Sequence, residues 1–148
     1  MWWVDFFLLT TNYELPTLAM FRLSQKSDYG LILLSSLRQV QGKPLPISKI
    51  AAKHKISPKF LSQIAQELKK AGILASKEGV SGGYSLAKSA KQIKILDVLK
   101  ILDGELIEGK CFEEGHECTC GAGEMWADMK KQMEKTIDKK TVANLVTR

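Results

Sequence analysis

Apolar residues recur at helical spacing from Ser27 to Gln41, where Leu33, Leu34, Leu37 and Val40 fall on one stripe. Ser27 is the expected cap of this first helix, and Gly42 stands where a left-handed residue closes one. Lys43-Pro44-Leu45-Pro46 reads as a linker, because two prolines at that spacing forbid a helix. Ser48 then caps a short helix through Lys53, with Ile50 and Ala51 turned inward, and the chain breaks at His54-Lys55-Ile56. Ser57-Pro58 restarts it, a hydroxyl at the cap and proline in the first helical position. The helix that follows has Phe60, Leu61, Ile64, Ala65 and Leu68 on its inward face. Lys59, Ser62, Gln63, Gln66, Lys69 and Lys70 occupy the other face, and Gly72 ends the helix. Two short helices, a tight turn and a basic second helix form a helix-turn-helix pattern.

Beyond Gly72 the spacing changes to that of strands. Ile73–Lys77 and Tyr84–Ala87 flank the glycine-rich turn Glu78-Gly79-Val80-Ser81-Gly82-Gly83, a hairpin placed where a wing belongs. The glycines do not form a nucleotide-binding loop, which would open a helix and end in Gly-Lys-Ser/Thr. Ile95 to Leu102 is a further short helix closed by Gly104. From Glu124 a helix resumes, with Trp126, Met129, Met133 and Ile137 on a methionine-rich stripe that needs a partner surface; pairing with its own copy in a homodimer supplies one, and packing back on its own domain is the alternative. The fold class is thus mainly α with a small β-hairpin, a winged helix-turn-helix plus a long C-terminal dimerisation helix.

Charge sharpens this picture. The 148 residues carry a net +6, distributed as −2 over 1–19, +9 over 20–110 and −1 over 111–148. Between Lys43 and Lys94 there are 11 lysines and two acidic residues, a density that points to double-stranded DNA as partner. Lysines such as Lys59, Lys69 and Lys77 suit phosphates, and Ser57 with the amides behind Pro58 can meet a phosphate at a helix N-terminus. Ser62, Gln63 and Gln66 are the side chains placed to read base edges. Ser81, Gly82, Gly83 and Tyr84 belong to the wing, where the two glycines let the backbone approach the minor groove.

Residues 1–19 form an apolar extension that has neither the basic start nor the cleavage site of a signal peptide and is too short to span a bilayer. A partner-binding or membrane-surface segment and an extra strand are two readings of it. We favour a third, translated upstream sequence, with Met20 as the native start. Residues 20–104 then form the DNA-binding domain, 105–123 a cysteine loop, and 124–148 the dimerisation helix and C-terminal segment. No membrane partner is expected, and the setting is cytoplasmic.

Cys111, Cys118 and Cys120 lie within ten residues, a poor disulfide framework and a plausible metal or redox site. The spacing is neither that of a zinc ribbon nor that of a ferredoxin. Three thiolates on one loop suit an iron–sulfur cluster with a fourth ligand from His116, Glu124 or Asp28; free thiols, zinc and a disulfide are the alternatives. No Ser-His-Asp set or pair of catalytic carboxylates appears, so the chain reads as a non-enzyme. A zinc or thiol–disulfide switch on the same DNA binder is one rival, and a small iron–sulfur electron-transfer protein the other.

Phe21-Arg22-Leu23-Ser24…Asp28-Tyr29-Gly30, Ile50-Ala51, Ile56-Ser57…Phe60-Leu61 and Leu68-Lys69-Lys70-Ala71-Gly72-Ile73-Leu74 resemble the opening and helix-turn-helix of the Rrf2 family of winged-helix regulators. The resemblance continues through Gly79-Val80-Ser81-Gly82-Gly83-Tyr84-Ser85-Leu86-Ala87, Ile95…Asp97-Val98…Asp103-Gly104, the cysteine loop, Trp126 and Thr141-Val142-Ala143-Asn144-Leu145, so that it covers 21–146. It implies a homodimeric regulator, commonly a repressor, whose iron–sulfur cluster near the dimer interface alters operator affinity in response to nitric oxide, redox or iron–sulfur status. A 2Fe–2S cluster is the expected form and 4Fe–4S the alternative. By the same resemblance Cys111 and Cys120 match the first and third cluster cysteines. Cys118 departs from the pattern, whose middle cysteine would fall near Gly115. The histidine some members use would fall near Gly123, and Asp28 lies where others offer a carboxylate from the partner subunit's DNA-binding region.

Overall fold

The computed structural model describes residues 24–105, 107, 119 and 121–145. The extension 1–19, Cys111, His116, Cys118 and Cys120 lie outside the described residues.

Helix α1 spans Gln25–Gln39 and is capped by Ser24, whose side chain accepts the Ser27 N–H at 3.0 Å. The expected cap, Ser27, is instead fully buried on the inward face, because the helix begins two residues before it. The Ser24 hydroxyl also donates to the Asp103 carboxylate, with oxygens at 2.6 and 2.7 Å, so one side chain starts α1 and ties it to the end of a later helix. Leu33, Leu34 and Leu37 enter the core, while Val40 stays half-buried as the C-terminal cap.

Helix α2, Ile47–His54, follows Pro46, which stands at the cap position without a side-chain bond; Ser48, the expected cap, is exposed inside the first turn. The turn to α3 is made by Lys55 at φ +55°, and Ile56 drops into the core with its N–H on the Ala51 carbonyl at 2.9 Å. Helix α3, Pro58–Lys70, has Ser57 and Pro58 in the expected positions. Leu61, Ile64, Ala65 and Leu68 are all buried, and each large one contributes roughly 1.5–3 kcal/mol. Phe60, expected inward, is half-buried and meets Tyr29 of α1 edge-on with ring centroids 5.8 Å apart.

Strands β1 (Leu74–Lys77) and β2 (Gly83–Leu86) pair antiparallel from Leu74 opposite Leu86 to Lys77 opposite Gly83. Leu45 extends the hairpin on its other side, exchanging both backbone hydrogen bonds with Tyr84 at 2.9 and 3.0 Å. The linker read from its two prolines therefore contributes a third, one-residue rung. Gly83 makes this approach feasible: its φ is +148°, and a Cβ there would stand 2.4 Å from the Leu45 carbonyl carbon.

Helix α4, Ile95–Asp103, packs Ile95, Leu96, Val98, Leu99 and Leu102 inward and ends at Gly104. It crosses α1 at Gly30, where an added Cβ would stand 2.4 Å from a Leu102 methyl. Helix α5, Ala122–Asp138, has no buried residue. The chain then folds back through a short 3-10 helix, Val142–Asn144. Thr141 bridges Lys94, the Val142 N–H bonds to the Ile93 carbonyl at 2.9 Å, and Val142 is fully buried. Arg38 of α1 donates to the Leu145 carbonyl, completing a strap across the body.

Candidate nucleic-acid interface and sensing loop

The exposed face of α3 is built by exclusion. With one flank committed to the core, Lys59, Gln63, Gln66 and Lys69 are left in solvent, and Ser62 is half-buried beside them. The one acidic side chain of the helix, Glu67, is turned to α1, where Lys26 Nζ lies 2.7 Å from its carboxylate. The outward face of α3 is thereby free of negative charge, and its amides and ammonium groups can address base edges and phosphates. Ser57 is exposed and makes no capping hydrogen bond through its side chain, although its carbonyl accepts the Leu61 N–H at 3.0 Å. Lys49, Lys53 and Lys55 are also exposed and extend the basic surface along α2.

In the wing, Lys77 and Ser81 are exposed, whereas Tyr84 is half-buried against the core with its backbone held between Ser76 and Leu45. Gly82 and Gly83 answer to local packing. A Cβ at Gly82 would lie 2.4 Å from the Lys77 carbonyl oxygen, and one at Gly83 would strike Leu45. Pairing of Leu45 with Tyr84 was missed from sequence, since a single bridging residue has no periodicity to betray it.

The stripe expected to dimerise is half-buried at Trp126, Met129, Met133 and Ile137, and Ile137 packs against the core. Met125, Met129 and Met133, with Asp128 and Gln132, line an apolar groove along α5. Ion pairs moor the helix to α4 and to the start of the cysteine loop. Lys94 meets Asp138 at 2.7 Å, Lys100 meets Glu134 at 3.0 Å, and Glu105 bridges Lys130 at 2.8 Å and Lys100 at 3.7 Å. The hydrogen bond from Lys130, helped by the Lys100 charge, holds the Glu105 carboxyl below its ordinary value, while Asp138 raises Lys94 and Glu134 raises Lys100. The two arms leading to and from the cysteines are thus fastened to each other at Glu105.

Asp28 is exposed in the first turn of α1, with its N–H on the Ser24 carbonyl at 3.0 Å. Glu124 is exposed in the first turn of α5. Among the described residues, no cluster of three His, Cys, Asp or Glu side chains stands ready for a metal. No helix among them is long and apolar enough to cross a membrane.

A winged helix-turn-helix with a basic, polar recognition helix and a long C-terminal helix defines a class, that of DNA-binding transcriptional regulators. Residues 23–148 match the family described as "Rrf2: Iron-dependent Transcriptional regulator", and the chain belongs to that family. The protein Rrf2 of Nitratidesulfovibrio vulgaris is 32% identical over 130 residues, covering 84% of this chain and 87% of its own. Among solved structures, CymR of Bacillus subtilis, described as the global cysteine regulator, aligns with a TM-score of 0.72 and 27% identity over 84% of this chain and 95% of its own. IscR of T. potens aligns at 0.69 and 29% identity, over 84% of this chain and 85% of its own. The chain is thus similar to a cysteine regulator as well as to IscR, and the family alone does not fix what it senses.

Proposed function

We propose that this chain is a homodimeric repressor whose affinity for a double-stranded operator is set by an iron–sulfur cluster held by Cys111, Cys118, Cys120 and the partner subunit's Asp28. The observation that carries the reading is the position of Asp28. Its carboxylate is exposed on α1, the helix whose packing and Lys26–Glu67 ion pair fix the recognition helix. The chemistry of the donors fits the group: three soft thiolates lie within ten residues, and Asp28 offers an exposed carboxylate. His116 is the weaker alternative for the fourth position. When bound, the cluster supplies redox and ligand-exchange chemistry that nitric oxide, oxidants or iron shortage disturb.

The chain's own residues do the rest. Engaged as a ligand, Asp28 would tie α1 of one protomer to the cysteine loop of the other. Because Leu33, Leu34 and Leu37 share a core with Leu61, Ile64 and Leu68, α3 moves with α1. A change at Asp28 would therefore be carried to the separation of the two recognition helices, which must match half-sites about 34 Å apart. Lys59, Lys69 and Lys77 hold phosphates, with Ser57 at the α3 N-terminus. Ser62, Gln63 and Gln66 read the major groove, and Ser81 with the neighbouring wing backbone reaches the minor groove. The methionine groove on α5 with Trp126 supplies the dimer contact.

A second reading, a zinc or thiol–disulfide switch on the same DNA binder, is favoured by the Cys118-x-Cys120 spacing and by the likeness to CymR. Anaerobic purification with a visible spectrum and iron and sulfide counts separates the two. A brown protein whose colour is lost in Cys118→Ser supports the cluster. A colourless, iron-free protein that still retards DNA moves the function to the thiol or zinc switch. Asp28→Ala with unchanged cluster stability and operator affinity removes Asp28 from the site.

A further inference from the structure

The wing differs from the rest of the basic surface in its chemistry. Between Gly79 and Ala87 there is no charged residue, and the preceding position is Glu78. The tip is Val80, fully exposed. The other large apolar side chain left in solvent among the described residues, Met125, lies on α5 far along the chain. The turn that carries the tip is closed by a backbone hydrogen bond. The Gly82 N–H donates to the Gly79 carbonyl at 2.9 Å, and Gly82 has no room for a side chain. Val80 thus stands outward at the end of a hairpin whose other edge pairs with Leu45.

We infer that Val80 is a minor-groove reading residue, which places its methyl groups between the sugar walls and selects an A·T pair beneath the wing. The inference rests on the DNA-binding reading above. A minor groove about 6 Å wide excludes a two-stranded ribbon with its side chains but admits one apolar side chain from its tip. Its floor at A·T pairs presents only acceptors, whereas a G·C pair adds the guanine 2-amino donor. Facing two methyl groups, either pair loses water at its acceptors, and a G·C pair loses it at that donor as well, the added cost on which discrimination rests. With no cation at the tip, the contact contributes through shape and burial and releases no counterion, unlike the contacts of Lys59 or Lys77.

The test uses the full-length chain, purified anaerobically, and duplexes it selects from a random library. Hydroxyl-radical footprinting then locates the base pairs beneath the wing. The expected pairs there are A·T. Replacing them with G·C weakens wild-type binding roughly tenfold, and replacing them with inosine·C, which lacks the 2-amino group, restores it. Val80→Ser, at a solvent-exposed position, keeps the wild-type circular dichroism spectrum. It binds the selected duplex roughly tenfold more weakly, treats A·T and G·C alike, and leaves the dependence on salt unchanged. Lys77→Ala instead lowers the salt slope by about one. Selection of G·C beneath the wing, failure of inosine to restore binding, or a Val80→Ser protein with full affinity and full discrimination overturns the inference and leaves the DNA reading intact. A wild-type chain that selects no duplex overturns both.

Discussion

Gly83 holds the wing against the body, and replacing it with alanine isolates what that contact contributes. The new Cβ would stand 2.4 Å from the Leu45 carbonyl carbon, 2.5 Å from its oxygen and 2.7 Å from the Pro46 nitrogen. These are backbone atoms followed by a proline, so no side chain can swing away. Relief requires Leu45 to separate from Tyr84, which breaks hydrogen bonds of 2.9 and 3.0 Å. Each is worth about 0.5–1.5 kcal/mol, and the left-handed φ of +148° adds about 1 kcal/mol for a residue with a side chain. Gly83→Ala is thus expected to lose about 2–4 kcal/mol, roughly 6–15 °C in melting temperature for a body of this size. Gly79→Ala is the control, since its φ is +104° but nothing lies within 4 Å of the added carbon, and it is expected to lose about 1 kcal/mol. Thermal unfolding followed by circular dichroism at one fixed protein concentration measures both. Equal losses in the two variants would refute the close-approach argument and leave backbone conformation as the whole effect.

Ser24→Ala removes the cap of α1 and its tie to Asp103, and is expected to cost about 1–2 kcal/mol by urea unfolding, whereas Ser35→Ala on the half-buried flank of the same helix costs less. Glu105 titrates below its ordinary value of 4.5, so its contribution is present above that value and lost as pH falls through the lowered one. The melting temperature of wild type should exceed that of Glu105→Gln by a constant margin near neutrality, and the margin should close as the pH is taken from 4.5 down through the lowered value. Lys94 and Lys100 are raised above 10.5, so their ion pairs persist below that value and fail as pH rises through the raised ones. Met129→Glu puts a charge into the α5 groove; if the proposed dimer forms there, sedimentation should show wild type as a dimer and the variant as a monomer, without loss of helix content.

What could be read from the chain beforehand followed the range of the interactions involved. Helix α3 was legible to the residue at its start because Ser57-Pro58 is a local signal, and its inward stripe is complete without help from elsewhere. The start of α1 was misplaced because Ser24 and Ser27 are both plausible caps. The choice falls to Ser24 through contact with Asp103, seventy-nine residues away in the chain. Ser48 failed as a cap for a simpler reason, since α2 begins directly behind Pro46 and leaves that serine inside the helix. The glycines of the wing are legible, yet the cause of Gly83 lies in Leu45, a residue that no periodicity marks, and that of Gly82 in the Lys77 carbonyl across the turn. The donor set of the cysteine loop was legible as composition alone. The fastening of that loop through Glu105 to both Lys100 and Lys130 needs three separate segments brought together, which only the folded chain specifies.

The strap after α5 bears on how the protein is made. Core residues run from Leu33 to Val142, and the backbone of Val142 and Ala143 closes on Ile93 and Ala90. A chain still emerging from the ribosome holds the whole helix-turn-helix and wing in sequence well before it holds the residue that seals their core. The winged body reaches its full packing only after α5 has been synthesised, so a nascent chain that ends before Val142 lacks the residue that closes its core.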